Sequence, residues 1–120
     1  TDTDDYNVAR QEGKPVGGAY PDAAGMGTVI VPNCAVLIAG GPNADNGRRF
    51  IDYLLTAHVE QALAESEAAQ MPVRSGVPVP EHVVTLDRLQ PMTIDYGALG
   101  ARLEDLTQGF LKEWVDANSR

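Results

Sequence analysis

The stretch that decides the fold is a punctuated turn followed by an apolar run. The turn reads Tyr20-Pro21-Asp22-Ala23-Ala24-Gly25-Met26-Gly27-Thr28, and residues 29–39 continue it as Val-Ile-Val-Pro-Asn-Cys-Ala-Val-Leu-Ile-Ala. Glycine and proline favour turns, whereas β-branched and other apolar residues favour buried strands. We therefore predict that residues 28–39 form strands that leave one packed unit and cross a hinge into another. Pro32 cannot donate to a β-ladder, so we expect a bend or a strand edge there.

The residues on either side of this run predict a mixed α/β chain. Before the run, we expect a short helix over residues 6–12, capped by Thr3 or Asp4, and then a strand over 14–20. After it, apolar residues at helical spacing predict a helix over 45–57, a second helix from Val59 onward and a long helix over 96–118. A long loop over 68–91 and a short strand over 92–94 complete the prediction.

Composition limits the partners of the chain. Its 120 residues suffice for one small domain with a single core, and 43% of them are hydrophobic. The net charge of −8 argues against binding to nucleic acid or through a polybasic patch to a membrane surface. No apolar run approaches the roughly 20 residues that cross a bilayer. We therefore expect a soluble acidic protein without nucleic-acid partners.

A catalytic role is disfavoured by the positions of the reactive residues. Cys34 is the only cysteine, which excludes an intramolecular disulfide, and its place in an apolar run predicts a buried thiol. An enzyme would use Asp4 and Asp5 as an acid/base pair, or Cys34 with His58 or His82. However, adjacent carboxylates in a turn point in different directions, and no base is near Cys34 in sequence. We expect a protein that is not an enzyme, with His58 as a cap or a surface residue.

Eight short motifs follow one another along nearly the whole chain. They are Thr1-Asp2-Thr3-Asp4-Asp5, Glu12-Gly13-Lys14-Pro15-Val16, Tyr20-Pro21-Asp22, Gly25-Met26-Gly27-Thr28, Val31-Pro32-Asn33, Gly40-Gly41-Pro42-Asn43, Arg49-Phe50-Ile51-Asp52-Tyr53-Leu54-Leu55 and Gln70-Met71-Pro72-Val73. In this order and spacing they resemble the motifs of bacterial extracellular solute-binding proteins of ABC importers, and the similarity is greatest to the iron(III)-type periplasmic component.

The resemblance implies the C-terminal fragment of a two-lobed, type II periplasmic-binding-protein fold, with a mixed sheet covered by helices. A solute would bind in the cleft between the lobes, and the lobes would close around it. It further implies an ABC permease as partner and a periplasmic or extracellular location, with a membrane-anchored lipoprotein as one form. The implied boundaries are 1–27 for the end of the second lobe, 28–39 for the hinge-crossing strands, 40–69 for first-lobe helices, 70–75 for the return crossing and 76–120 for the second-lobe return with the C-terminal helix.

The resemblance also implies a ligand site near the start of the chain. In iron-binding members of the family, two adjacent tyrosines that follow a second-lobe strand supply phenolate ligands, and Asp4 and Asp5 occupy those positions here. We expect Thr3, Asp4, Asp5 and Tyr6 to contact the ligand, with Asp4 and Asp5 as the candidate metal ligands. Carboxylates suit Fe3+ or another hard cation as the transported ligand, but they equally suit a cationic or polyhydroxylated molecule. The alternative to a ligand site is that residues 3–5 only cap the helix that follows them.

Two further possibilities concern protein partners. A free-standing interaction module would dock through the C-terminal amphipathic helix, and its apolar stripe consists of Leu99, Leu103, Leu106, Phe110 and Trp114. Residues 20–39 join two incomplete halves, so the isolated fragment is expected to dimerise or exchange strands there.

Overall fold

A computed structural model of the protein describes residues 2–119. Helices are the main regular elements over this range. The protein shows no β-sheet over that range, only one isolated parallel bridge between Thr28 and Pro91. The helices are α1 (Thr3–Gln11), α2 (Ala44–Leu54), α3 (Ala57–Glu65), a 3-10 turn (Leu86–Arg88), α4 (Tyr96–Ala101), α5 (Leu103–Gln108) and α6 (Phe110–Asn118).

The predicted α/β fold is therefore wrong. Residues 14–20, 28–39 and 92–94 do not form strands, and the mixed sheet of a type II periplasmic-binding-protein fold is not present among residues 2–119. A strand needs a neighbouring strand to hydrogen-bond its backbone N–H and C=O groups. Residues with high β-propensity therefore form a strand only where such a neighbour is present. These segments have the composition of strands, but the described residues form no sheet with which they could pair.

The bridge at Thr28 ties the turn over residues 20–28 to the segment before α4. The Thr28 amide donates to the Gln90 carbonyl at 2.8 Å, and the Met92 amide donates to the Thr28 carbonyl at 2.8 Å. Gly27 adopts a φ of +90°, and a Cβ atom at this position would lie 2.5 Å from the Gln90 carbonyl oxygen. Glycine is therefore required here both for the backbone conformation and for the close approach of the second segment.

The predicted helices at α2 and α3 are confirmed, and α3 supplies two of the four buried apolar residues in the described range, Val59 and Ala64. Thr56 begins α3 by accepting a hydrogen bond from the Val59 amide through its hydroxyl oxygen. The fully buried Ala64 packs with Ala69 and Val83, two residues of the long loop that follows. This cluster fixes the loop over residues 66–83 against α3.

The long helix predicted over residues 96–118 is interrupted twice. Arg102 separates α4 from α5, and Gly109, with φ −104° and ψ −99°, separates α5 from α6. The Gly109 amide donates to the Asp105 carbonyl and ends α5. The apolar stripe is divided among three short helices as a result, and Phe110 and Trp114 remain 62% and 56% exposed.

The chain exposes much more surface than a compact protein of its size. Its accessible area is 9523 Å², whereas a folded monomer of 12.8 kDa exposes about 6,300 Å². The radius of gyration is 17.6 Å, against about 14 Å for a compact chain of this length. No helix within residues 2–119 has the length and apolar character needed to span a membrane. Large apolar side chains are thus left without cover by the described part of the chain.

The contact between Gly27 and Gln90 leads to a stability prediction. We expect Gly27→Ala to destabilise the protein by about 2–4 kcal/mol, because the substitution adds a steric overlap to the strain of a positive φ. Gly40→Ala is the matched control, since Gly40 has a φ of +74° but a Cβ atom there would have no neighbour within 4 Å. Urea unfolding of both variants measures the difference, and equal losses would contradict the role given to the contact.

Candidate ligand site

Helix α1 is held against the segment that follows α3 by polar contacts. Asn7 is 1% exposed, and its Nδ2 donates to the Glu67 carbonyl at 3.0 Å while its Oδ1 accepts from Arg10 at 3.0 Å. The Thr3 hydroxyl donates to the Ala68 carbonyl at 3.1 Å. These bonds fix the N-terminal end of α1, where the sequence predicts the ligand residues.

Three carboxylates converge at this end of α1. One oxygen each from Asp2, Asp4 and Asp5 lies within 4.8 Å of the other two, and all three residues are exposed. Asp2 directly precedes the helix, and Asp4 and Asp5 belong to its first turn, where the positive end of the helix dipole favours negative charge. The arrangement can offer three oxygen donors to a cation or accept hydrogen bonds from a polar molecule.

The proximity of the carboxylates shifts two of their pKa values in opposite directions. The hydrogen bond between the Asp2 and Asp4 carboxyl groups raises the pKa of Asp2 and lowers the pKa of Asp4. Repulsion from Asp4 and Asp5 raises the pKa of Asp2 further, and the Asp5 backbone N–H lowers that of Asp4. Asp4 is thus the more readily ionised of the two residues.

The structure brings together Asp4 and Asp5 but gives Thr3 and Tyr6 other contacts. Asp2 occupies the capping position, without a side-chain capping bond, so the prediction that Thr3 or Asp4 caps the helix is wrong. Tyr6 is half-buried, and its ring lies against Gly18, since a Cβ atom at Gly18 would lie 3.5 Å from it. Thr1, which begins the predicted polar cluster, lies outside the described residues.

The residues of the alternative catalytic hypotheses lie on the surface. Cys34 is exposed, so the prediction of a buried thiol is wrong. The reason is that the strand expected to bury it does not form, and its Sγ donates a long hydrogen bond to the carbonyl of nearby Pro32 at 3.6 Å. His58 is exposed, as predicted, and lines a shallow depression beside Arg74. The Arg74 guanidinium in turn lies 3.8 Å from the Glu60 carboxylate.

Sequence reasoning missed two residues that shape the site. Asp2 supplies the third carboxylate, an oxygen donor of the same kind as Asp4 and Asp5. Asn7 anchors α1 and is buried, whereas the apolar neighbour Val8 is 38% exposed. No sequence signal identifies Asn7, because its burial depends on a carbonyl group 60 residues away.

Comparison with known proteins identifies no relative of the chain. No protein-family model, curated protein or solved structure matches it. The function of the site therefore has to be inferred from its own geometry and from the resemblance described above.

The buried contacts of Asn7 can be tested directly. Asn7→Ala removes the donor to the Glu67 carbonyl, and we expect it to lower the free energy of unfolding by about 1–3 kcal/mol. Asn118→Ala is the matched control, because the Asn118 amide also donates to a backbone carbonyl but on an exposed helix. We expect that control to change stability by less than about 0.5 kcal/mol.

Urea unfolding compares the two variants, and amide hydrogen exchange locates the effect. Faster exchange confined to α1 in Asn7→Ala would agree with its role as an anchor. A loss of stability no greater than that of Asn118→Ala would contradict that role.

Proposed function

We propose that this chain is a substrate-binding component of an ABC importer and that it contacts its solute through Asp4 and Asp5. The observation that carries this proposal is the convergence of the Asp2, Asp4 and Asp5 carboxylates at the exposed start of α1. Asp4 and Asp5 are the two residues of this group at which the resemblance to solute-binding proteins predicts ligand contacts. In this proposal the chain delivers the solute to a permease at the periplasmic or extracellular face of a membrane, and it catalyses no reaction.

The chemistry of three carboxylates favours a cationic solute. A hard cation such as Ca2+ takes about six to eight oxygen ligands, so the cluster would leave positions for water or for oxygens of the solute. Fe3+ is the hard cation that the resemblance suggests, although aspartates replace its expected tyrosine ligands. An organic cation would instead donate hydrogen bonds to the same carboxylates and pair with their charge. Both kinds of solute share the need for negative oxygen atoms at Asp4 and Asp5.

The exposure of the cluster limits its affinity. All three carboxylates face solvent, whereas a tight site surrounds most of its ligand and excludes water. Weak extracellular calcium modules bind with dissociation constants on the order of 10⁻⁴–10⁻³ M, and we expect the same range for this chain. The alternative function is an interaction module, and the observation that favours it is the exposure of Phe110, Leu111 and Trp114 on α6.

The proposal predicts that solute binding depends on Asp4 and Asp5. Titration calorimetry of the chain with ferric citrate, Ca2+, Mn2+, a polyamine and a neutral sugar identifies the class of solute. We expect a cation to bind and the double variant Asp4→Asn/Asp5→Asn to weaken that binding by about tenfold or more, because two of three charged donors are lost. Helical content should be unchanged, as judged by circular dichroism.

The control is Asp52→Asn/Glu113→Gln, which removes the same charge from exposed positions on α2 and α6. Glu113 lies in the first turn of α6, so the control also reproduces the loss of an acidic residue near a helix start. Equal weakening by both double variants would show that net charge alone attracts the cation. No binding of any of these solutes, together with a partner whose capture requires Trp114, would support the interaction module instead.

A further inference from the structure

We propose that residues 34–39 pair with the same residues of a second copy of this chain, so that two copies form a closed antiparallel dimer. The segment reads Cys-Ala-Val-Leu-Ile-Ala and lies between the turn at residues 20–28 and α2. This proposal is independent of the solute site, which lies on α1.

The backbone of this region has free hydrogen-bonding groups. No backbone N–H group of residues 29–39 donates to an acceptor in the described part of the chain. The carbonyls of Ile30, Pro32 and Ile38 accept bonds from Tyr96, Cys34 and Gly41, and the other carbonyls in this range accept none from described residues. An unpaired backbone of this kind is a template for pairing with another strand.

The side chains leave one face of the segment open. Every residue over 31–40 is exposed, and Val36 and Ile38 are 81% and 76% exposed. Leu37, between them, is 40% exposed and reaches Gly47 of α2, since a Cβ atom there would lie 2.6 Å from Leu37 Cδ1. Leu37 thus contacts the chain's own helix, while Val36 and Ile38 are available to a partner.

Composition favours an identical segment as that partner. Residues 28–42 contain no charged side chain, and residues 34–39 contain neither proline nor glycine. Short uncharged segments of high β-propensity pair readily with copies of themselves. Because no charges face each other in such a pair, the net charge of −8 on each chain is kept outside the contact. The segment has no charged side chain with which a charged partner could form an ion pair.

The chain as a whole has uncovered surface for an interface that extends beyond this segment. A standard protein interface buries about 800 Å² on each partner. The chain exposes about 3,000 Å² more than a compact monomer of its mass, and the apolar side chains of this segment contribute to that excess. Antiparallel pairing through the same edge of both segments, with Val36 on the axis, has twofold symmetry and closes after two copies.

Sedimentation of the chain from low to several hundred micromolar tests the proposal. We expect a monomer–dimer equilibrium, and we expect Val36→Lys to weaken dimerisation by roughly tenfold, because it brings a like charge into each half of the pair. Val36→Pro, which removes one backbone donor without adding charge, should have a similar effect. Val73→Lys is the matched control, because Val73 is 76% exposed outside the segment, and it should leave the dimer intact.

A spin label on Cys34 gives a second measurement. Twofold antiparallel pairing with Val36 on the axis places Cys34 opposite Ile38, so the two labelled residues lie about 14 Å apart along the strands. A monomer at all concentrations would overturn the proposal, as would equal effects of Val36→Lys and Val73→Lys. Open-ended filaments, or labels close enough for parallel in-register pairing, would overturn the closed antiparallel dimer.

Discussion

The contact between Thr28 and the segment at Gln90 and Met92 organises the rest of this structure. Two backbone hydrogen bonds of 2.8 Å join parts of the chain that are about 60 residues apart. Gly27 makes this approach possible, since any other residue would place Cβ against the Gln90 carbonyl. The Gln90 side chain strengthens the contact by donating to the Gly25 carbonyl at 2.8 Å. The pairing stops after Thr28, so the apolar residues that follow enter no sheet within the described range.

The described residues carry two exposed surfaces with different chemistry. At the start of α1, Asn7 and Thr3 bond to carbonyls after α3 and hold Asp2, Asp4 and Asp5 at the surface as a group of oxygen donors. Beyond Thr28, residues 31–40 are an exposed segment without charge. The first surface suits a cation and the second suits another strand, because one offers negative oxygen atoms and the other offers unpaired backbone groups with apolar side chains.

Local sequence patterns were reliable where local interactions decide the structure. The helical spacing of Phe50, Ile51 and Leu54 predicted α2, and the predicted end of the first helix at residue 12 lies one residue beyond the end of α1. The strands were predicted on equally good local grounds, but a strand depends on a neighbour that no local pattern supplies. The exposure of Cys34 follows from this error, because its predicted burial assumed a sheet. Gly109 likewise divided the final helix through a backbone conformation that the apolar stripe did not reveal.

The sequence by itself determined the approximate positions of α1, α2 and α3, the acidic charge and the presence of adjacent carboxylates near the start of the chain, because these depend on residue type and short spacing. The turn at Tyr20-Pro21-Asp22 and Gly25-Met26-Gly27 could also be predicted, since proline restricts the backbone angle φ and glycine permits positive values of φ. Only the tertiary structure decided that Asp2 joins Asp4 and Asp5, that Asn7 is buried, and that residues 29–39 pair with no strand in the described part of the chain. Each of these depends on how the chain packs as a whole, which residue type and short spacing do not specify.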